Sequence, residues 1–333
     1  MKKFILLVTL LLLCLSGCHQ ESAYITTVPT TEVIDYSTMA EKIGTTGNYI
    51  NGTTSGNIAM GMGAFACSDG YIYFSGYDMI YEYSIESGLA VELPLENVGW
   101  PWYLSVSGDE IHFAGAGGIS AVTKDGKSQN VIAEMPTGTS LYFDENDIYY
   151  LTSMGGTLCH KNLRTGEMAE YFSFVNTYFV TADSVYVCAE DDALADEKLY
   201  LFKASREDMA FEKIELDKEP IAVCVNGDDI FYAKSGNSWT VYHYAKAVET
   251  ELPIKSFFFQ SIGKRIIYID QKTGELKSYN WETEEDTVLY ERAMVFCILE
   301  DRYVCLQSGG MDNYILVDLY TGTTTNMLPE PEE

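Results

Sequence analysis

Four histidines could carry acid–base or metal chemistry: His19, His112, His160 and His243. The last three fall in strand-like segments, 48 and 83 residues apart. A catalytic imidazole needs a partner within about 3 Å, which sequence spacing does not show, and strand histidines are more often packed or at the surface, which is the expectation here. Forty-nine Asp and Glu residues make acidic pairs of the glycosidase type frequent by chance, which favours a solvated acidic surface. Asp191, Asp192, Asp196 and Glu197 crowd one stretch, CAEDDALADEK. Calcium takes six to eight oxygen ligands, but this spacing matches no calcium loop. The three aspartates are therefore weak metal candidates, and a solvated loop is expected. No G-x-S-x-G elbow, P-loop, H-E-x-x-H or EF-hand pattern occurs, and the Gly-x-Gly at 61–63 precedes no helical pattern. Nothing calls for a cofactor or marks a catalytic residue.

Eight cysteines stand at 14, 18, 67, 159, 188, 224, 297 and 305. From Cys67 onward none forms a C-x-x-C pair or a Cys/His cluster, so a zinc site is not expected. Buried thiols serving as small apolar groups are the simpler reading. Disulfide pairing stays open, because spacing does not determine it.

The elements that must position these residues follow from an internal repeat. A turn leads into a Tyr-rich apolar run of four at YIYF (71–74), IHFA (111–114), IYYL (148–151), VYVC (185–188), IFYA (230–233), IIYI (266–269) and YVCL (303–306). Taking Ile72, Ile111, Ile148, Val185, Ile230, Ile266 and Tyr303 as anchors, the gaps are 39, 37, 37, 45, 36 and 37 residues. Each unit reads as an apolar strand, a tight turn such as Gly108-Asp109, the anchor strand, a Gly-containing loop, an alternating strand, another turn and a polar strand. Four antiparallel strands in about 40 residues make one propeller blade. A blade's second strand is covered on both faces and so reads as continuously apolar. No stretch of 12 or more residues has a helical apolar period. The chain is therefore expected to be all-β, a seven-bladed β-propeller over 58–328, with a short acidic tail at 329–333. Blade one owns four strands, so no swapped closing strand is required, although AYITTV (23–28) could add one.

Propellers bind ligands on the face that collects the second-to-third and fourth-to-first strand connections. Here those connections carry Tyr77, Asp78, Trp100, Trp102 and Trp239. Aromatics beside carboxylates suit sugar or peptide recognition. The alternative is that they seal gaps between blades.

The N-terminus reads MKKFILLVTLLLLCLSGC. Lys2 and Lys3 precede an apolar run too short to span a bilayer, the pattern of a signal peptide over 1–17. Leu15-Ser16-Gly17-Cys18 resembles the bacterial lipobox, and that resemblance implies cleavage after Gly17 and diacylglyceryl attachment to the Cys18 thiol. His19 then lies beside the anchor. Residues 18–57 are rich in Thr, Ser and Glu without sustained periodicity, and read as a lipid-anchored spacer.

The net charge is −28; removing Lys2 and Lys3 leaves 19 basic against 49 acidic residues, a net of −30. Such a chain repels nucleic acid phosphates and anionic lipid headgroups alike, so acyl chains rather than charge must hold it at a membrane.

The segment TTSGNIAMGMGAFACSDGYIYFSGYDMIYEY (53–83) resembles the opening of a bacterial propeller domain of unknown function. That domain occurs in lipoproteins and cell-wall proteins of Gram-positive bacteria and is similar to the propeller of LDL-receptor-related proteins. The matching residues are Gly56, Asn57, Gly61, Asp69 to Phe74, Tyr81 and Tyr83. Later units keep only a D-x-I-Y pattern, as at Asp147 to Tyr149. The Tyr-Trp-Thr-Asp and Trp-Asp signatures of other propellers are absent. The resemblance implies a fold and a bacterial surface, and no activity. The expectation is a monomeric surface lipoprotein on the outer face of the cell membrane, not an enzyme, whose propeller binds a glycan, peptide or partner protein. The alternative is a propeller-based hydrolase or lyase acting on an extracellular polysaccharide.

Overall fold

The computed structural model describes residues 49–328, apart from 96–98, 100, 116–117, 134–138, 145–146, 154, 195, 237 and 310–312. The signal peptide, Cys18, most of the spacer and the acidic tail lie outside the described residues. Seven four-stranded antiparallel sheets follow one another, each built from four consecutive strands. Blade 1 comprises Phe65–Ser68, Tyr71–Ser75, Ile80–Ser84 and Ala90–Glu92. Blade 2 has Trp102–Ser107, Glu110–Gly115, Gly118–Thr123 and Gln129–Ala133; blade 3 has Thr139–Asp144, Asp147–Leu151, Leu158–Asn162 and Met168–Tyr171. Blade 4 has Val175–Val180, Ser184–Glu190, Leu199–Ser205 and Glu212–Ile214; blade 5 has Pro220–Asn226, Asp229–Lys234, Thr240–Ala245 and Val248–Lys255. Blade 6 has Phe259–Ile262, Arg265–Ile269, Leu276–Asn280 and Glu285–Tyr290; blade 7 has Val295–Leu299, Tyr303–Gln307, Tyr314–Asp318 and Thr324–Asn326. All seven anchors fall in second strands.

Strand alternation explains the continuous apolar runs. In blade 7, Cys297, Leu299, Tyr303, Cys305, Tyr314 and Leu316 pack toward blade 1, while Phe296, Ile298, Val304, Leu306, Ile315 and Val317 pack toward blade 6. Both parities are apolar because both faces are covered. The outer strands have one neighbour and stay polar, as in Thr324–Asn326, which is exposed throughout. Among the described residues no strand is shared across the closure between blades 7 and 1. There Phe65, Phe74 and Tyr314 pack ring against ring, and the Tyr314 hydroxyl donates to the Ser75 carbonyl at 2.8 Å.

Residues 49–63 fill the centre of the ring. The sequence reading places 49–57 in the spacer; in the structure a hairpin (Tyr49–Ile50 with Thr53–Thr54) leads into a helix, Ser55–Gly61. The innermost strands of the blades leave N–H and C=O groups facing the axis, and an unpaired strand edge needs partners. The hub supplies them. Asn57 Oδ1 accepts from Ile298 N and its Nδ2 donates to Ile298 O, both at 2.7 Å. Val180 N donates to Ser55 Oγ at 2.8 Å, Val106 N to Asn51 O at 2.7 Å, Cys67 N to Gly52 O at 2.8 Å and Leu104 N to Gly63 O at 2.7 Å. Thr54 caps the helix by accepting from Asn57 N at 3.0 Å. Gly56 and Gly63 are set by close approach. A Cβ at Gly56 would lie 2.9 Å from Gln260 Oε1, and one at Gly63 would lie 2.4 Å from Tyr103 Cα on a φ of +57°.

The hub also gives the ring a direction. Its hairpin meets the ends of the first strands of blades 1, 2 and 3, at Cys67, Val106 and Phe143. Its exit at Met62 and Gly63 meets the start of the first strand of blade 2, at Tyr103 and Leu104. The chain thus enters at the face of first-to-second strand turns. It crosses the axis and begins blade 1 at the opposite face, which carries the second-to-third and fourth-to-first connections.

Candidate functional site

That opposite face carries the residues singled out for binding, on different blades. Tyr77 and Asp78 connect the second and third strands of blade 1, both exposed, Tyr77 to 58%. Trp102 opens blade 2 and is half-buried. Trp100 lies outside the described residues. Trp239 precedes the third strand of blade 5, half-buried, with a φ of +39°. Blades 1 and 5 stand three places apart around the ring, so Tyr77 and Asp78 do not share a loop cluster with Trp239.

Trp239 does have company. Its ring lies 5.8 Å from that of Phe257, which meets Phe258 edge-on at 5.4 Å. Phe257 and Phe258 connect blades 5 and 6 and are half-buried. Ser256 N donates to Trp239 O at 3.0 Å, fixing the two loops together. Part of Trp239 therefore seals the blade 5–6 junction, as the alternative reading held, and the remainder faces solvent.

A cleft of about 620 Å³ opens beside this cluster. One wall is the outer strand of blade 5, with Glu251, Leu252, Pro253 and Lys255; the other is the blade 6 loop, with Asp270, Gln271 and Lys272. Thr240, next to Trp239, pairs with Lys255, and Gln271 N donates to Lys255 O at 3.0 Å. The volume falls in the range of small-molecule and cofactor sites, about 300–1,000 Å³.

The cleft's charged groups divide into two kinds. Glu251 accepts from the Tyr242 hydroxyl at 2.8 Å; burial, then this bond, pushes that hydroxyl's pKa up. Asp270 accepts from Thr273 N and Lys272 N, each at 2.9 Å, and from the Thr273 hydroxyl at 3.2 Å. Burial alone would raise the Asp270 carboxyl, but these donors hold it below the ordinary carboxylate value. Neighbouring Lys277 is taken up by Glu275 at 3.3 Å and Asp286 at 3.7 Å. Lys255 and Lys272 are exposed and form no ion pair among the described residues. The carboxylates are thus partly used by the fold, while two ammonium groups and the Gln271 side chain face the cleft.

The aspartates of the blade 4 loop serve that loop. Asp191 accepts from Ala193 N at 3.0 Å, Asp196 from the Tyr200 hydroxyl at 2.6 Å, and Asp192 from Ser173 N at 3.3 Å. Among the described residues no group of three or more His, Cys, Asp or Glu side chains could hold a metal ion. The histidines form joints between strands and blades. His160 bonds Asp147 at 2.9 Å and stacks on Tyr149 at 4.7 Å, with Arg206 of blade 4 reaching Asp147 at 3.8 Å. His243 repeats this two blades on: it bonds Asp229 at 2.7 Å, stacks on Phe231 at 4.7 Å and meets Trp281 of blade 6. His112 stacks on Phe143 of blade 3 at 4.6 Å; burial lowers its pKa, partly offset by Glu110 at 3.4 Å. The six cysteines from Cys67 onward are buried, and burial pushes Cys188 and Cys297 up to about 12.

Phe257, Phe258, Lys255, Gln271 and Lys272 were not singled out from the sequence. The run KSFFFQ held a clue, because consecutive Phe residues cannot all point to one side of a strand.

This architecture is shared with solved structures of several kinds. The propeller domain of the Trilobed protease from Pyrococcus furiosus, described as having an open velcro topology, superposes with a TM-score of 0.61 at 13% identity, covering 80% of this chain and 97% of that one. The tricorn protease matches at 0.60 and 8% identity over 81% of this chain, and an oligogalacturonate lyase in complex with manganese at 0.54 and 12% identity over 85% of this chain and 90% of the lyase. The chain spans only 35% of the tricorn protease and 57% of a puromycin-hydrolysing peptidase from Mycobacterium tuberculosis. No family model matches the chain. No curated protein matches it by sequence. At these identities the likeness shows the seven-bladed fold. It also corrects the expectation that the chain is not an enzyme: proteases and a lyase stand among proteins with this architecture, so the fold gives no ground for setting catalysis aside.

Proposed function

We propose that this chain is an exported, lipid-anchored surface propeller that holds a segment of an extracellular glycan in the cleft between blades 5 and 6. The observation that carries this reading is a polar cleft lined by Thr240, Lys255, Gln271 and Lys272, with the Trp239 and Phe257 rings packed together on residues one and two places along the chain from Thr240 and Lys255. Sugar rings present apolar C–H faces that pack on aromatic rings, and their hydroxyls suit the amide and charged groups beside them. The lipobox residues Leu15 to Cys18 support the anchoring. The direction of the hub supports the display. The hub hairpin meets one face and the cleft opens on the other, which supports a display of the cleft away from an anchored end.

The test is a glycan array with the detergent-solubilised chain, followed by calorimetry on any oligosaccharide retained. W239A should lose at least tenfold in affinity, on the scale of about 1.4 kcal/mol per decade. An array without a hit, or W239A binding unchanged, would falsify the reading.

A second reading adds turnover of the bound glycan by a hydrolase or lyase, and the oligogalacturonate lyase among the structural neighbours supports it. Incubation with polysaccharide distinguishes the two. New reducing ends indicate hydrolysis, an ultraviolet-absorbing unsaturated product indicates elimination, and an unchanged chain length leaves recognition alone.

A further inference from the structure

Resting on the glycan reading, we infer that the ligand is acidic, a uronate-bearing chain whose carboxylates are met by Lys255 and Lys272. The argument begins with the surface as a whole. Acidic residues outnumber basic ones 49 to 21, so an anionic polymer is repelled from most of it. The cleft departs from this. It has two ammonium groups and two carboxylates, so it is locally neutral.

The two signs are not equally available. Asp270 accepts three hydrogen bonds from its own loop, and Glu251 accepts one from Tyr242. Several other basic groups of blades 6 and 7 are engaged: Lys264 with Glu282 at 2.9 Å, Arg265 with Glu285 at 3.2 Å, and Arg302 with Asp318 at 2.6 Å. Lys255 and Lys272 are on opposite walls of one cleft, exposed, and without a carboxylate in ion-pair range among the described residues. The hydrogen bond from Gln271 N to Lys255 O ties the two walls together. An acidic sugar satisfies every free group at once: its ring face meets Trp239 and Phe257, its carboxylates take the ammonium donors, and its hydroxyls reach Gln271.

The experiment titrates the detergent-solubilised full chain with three probes: an oligogalacturonate of six residues, its fully methyl-esterified form, and a poly-glutamate peptide of similar charge. The acid should bind about tenfold or more tightly than the ester, because its carboxylates accept charge-assisted hydrogen bonds that the ester cannot, and this margin should shrink with added salt. K255A/K272A should erase the margin by weakening the acid far more than the ester, whereas W239A should weaken both sugars. Both lysines are exposed and unpaired, so these variants keep the fold, which circular dichroism verifies. Equal affinity for acid and ester, or a margin that survives K255A/K272A, overturns the inference and leaves glycan recognition standing. Poly-glutamate binding as tightly as the acidic sugar overturns the assignment to a glycan. Failure of both sugars to bind overturns this inference, while the glycan array decides the underlying reading separately.

Discussion

At the scale of single residues, charge in this protein mostly acts within and between blades. Arg302 grips Asp318 through two donors, Nε to Oδ1 at 3.1 Å and Nη2 to Oδ2 at 2.6 Å, while its guanidinium lies over the rings of Tyr303 and Tyr320. Burial alone would raise Asp318, yet Arg302 and the Tyr320 amide hold it below the ordinary value. A carboxyl whose native pKa is depressed stabilises the fold above its unfolded value, near 3.9, and that contribution is lost as pH falls through the native value. R302A should therefore cost about 1 kcal/mol at pH 7, modest because the arginine is partly exposed. The gap from wild type should close as pH drops from about 4 toward 2. Urea melts at both ends of that range decide it; a gap independent of pH would assign the effect to arginine packing on the two tyrosines. The sequence made Trp239 legible as a binding candidate. It could not make the site legible, because Phe257, Lys255 and Lys272 come together only through the packing of two blades.

At the scale of elements, the strands were readable and the hub was not, for a common reason. Strands buried on both faces announce themselves through unbroken apolar runs, and all seven second strands were found that way. The hub is coded in hydrogen bonds. Its helix has seven residues, SGNIAMG, too few for an apolar period, and its Thr, Ser and Gly residues read as a linker. The signal present was local: Thr54 three residues before Asn57, the spacing of a cap, with glycines at 56, 61 and 63. Asn57 is the test of this element. N57A would leave the Ile298 N–H and C=O without their partner in a buried site, at about 1–3 kcal/mol per group. We expect a loss of about 3 kcal/mol in urea denaturation. N57D should not restore it, since a carboxylate cannot donate to the Ile298 carbonyl. Wild-type stability in N57A would show that the hub merely fills space.

At the scale of the whole molecule, the hub gives the ring a direction, so that on the lipobox reading one face is the tethered one. Tyr49 begins the described chain at the face of the first-to-second strand turns, about 30 residues after Cys18. On the lipobox reading, Cys18 supplies the only attachment, because a net charge of −30 after cleavage opposes binding to an anionic bilayer. Replacing Cys18 with Ala or Ser should leave the propeller folded, since among the described residues the hub's hydrogen-bond partners lie at or beyond Asn51. It should abolish lipidation, because a hydroxyl or methyl cannot form the thioether, and yield either soluble secreted protein or an uncleaved precursor. Acyl burial at about 0.8 kcal/mol per CH₂ is what the variant gives up. Detergent-phase partitioning of wild type and C18A, with the N-terminus read by mass spectrometry, decides the matter. Wild type should enter the detergent phase with Cys18 as its modified first residue, and processed C18A should stay in the aqueous phase. If processed C18A still partitions with detergent, the anchor lies elsewhere and the outward orientation of the cleft loses its support.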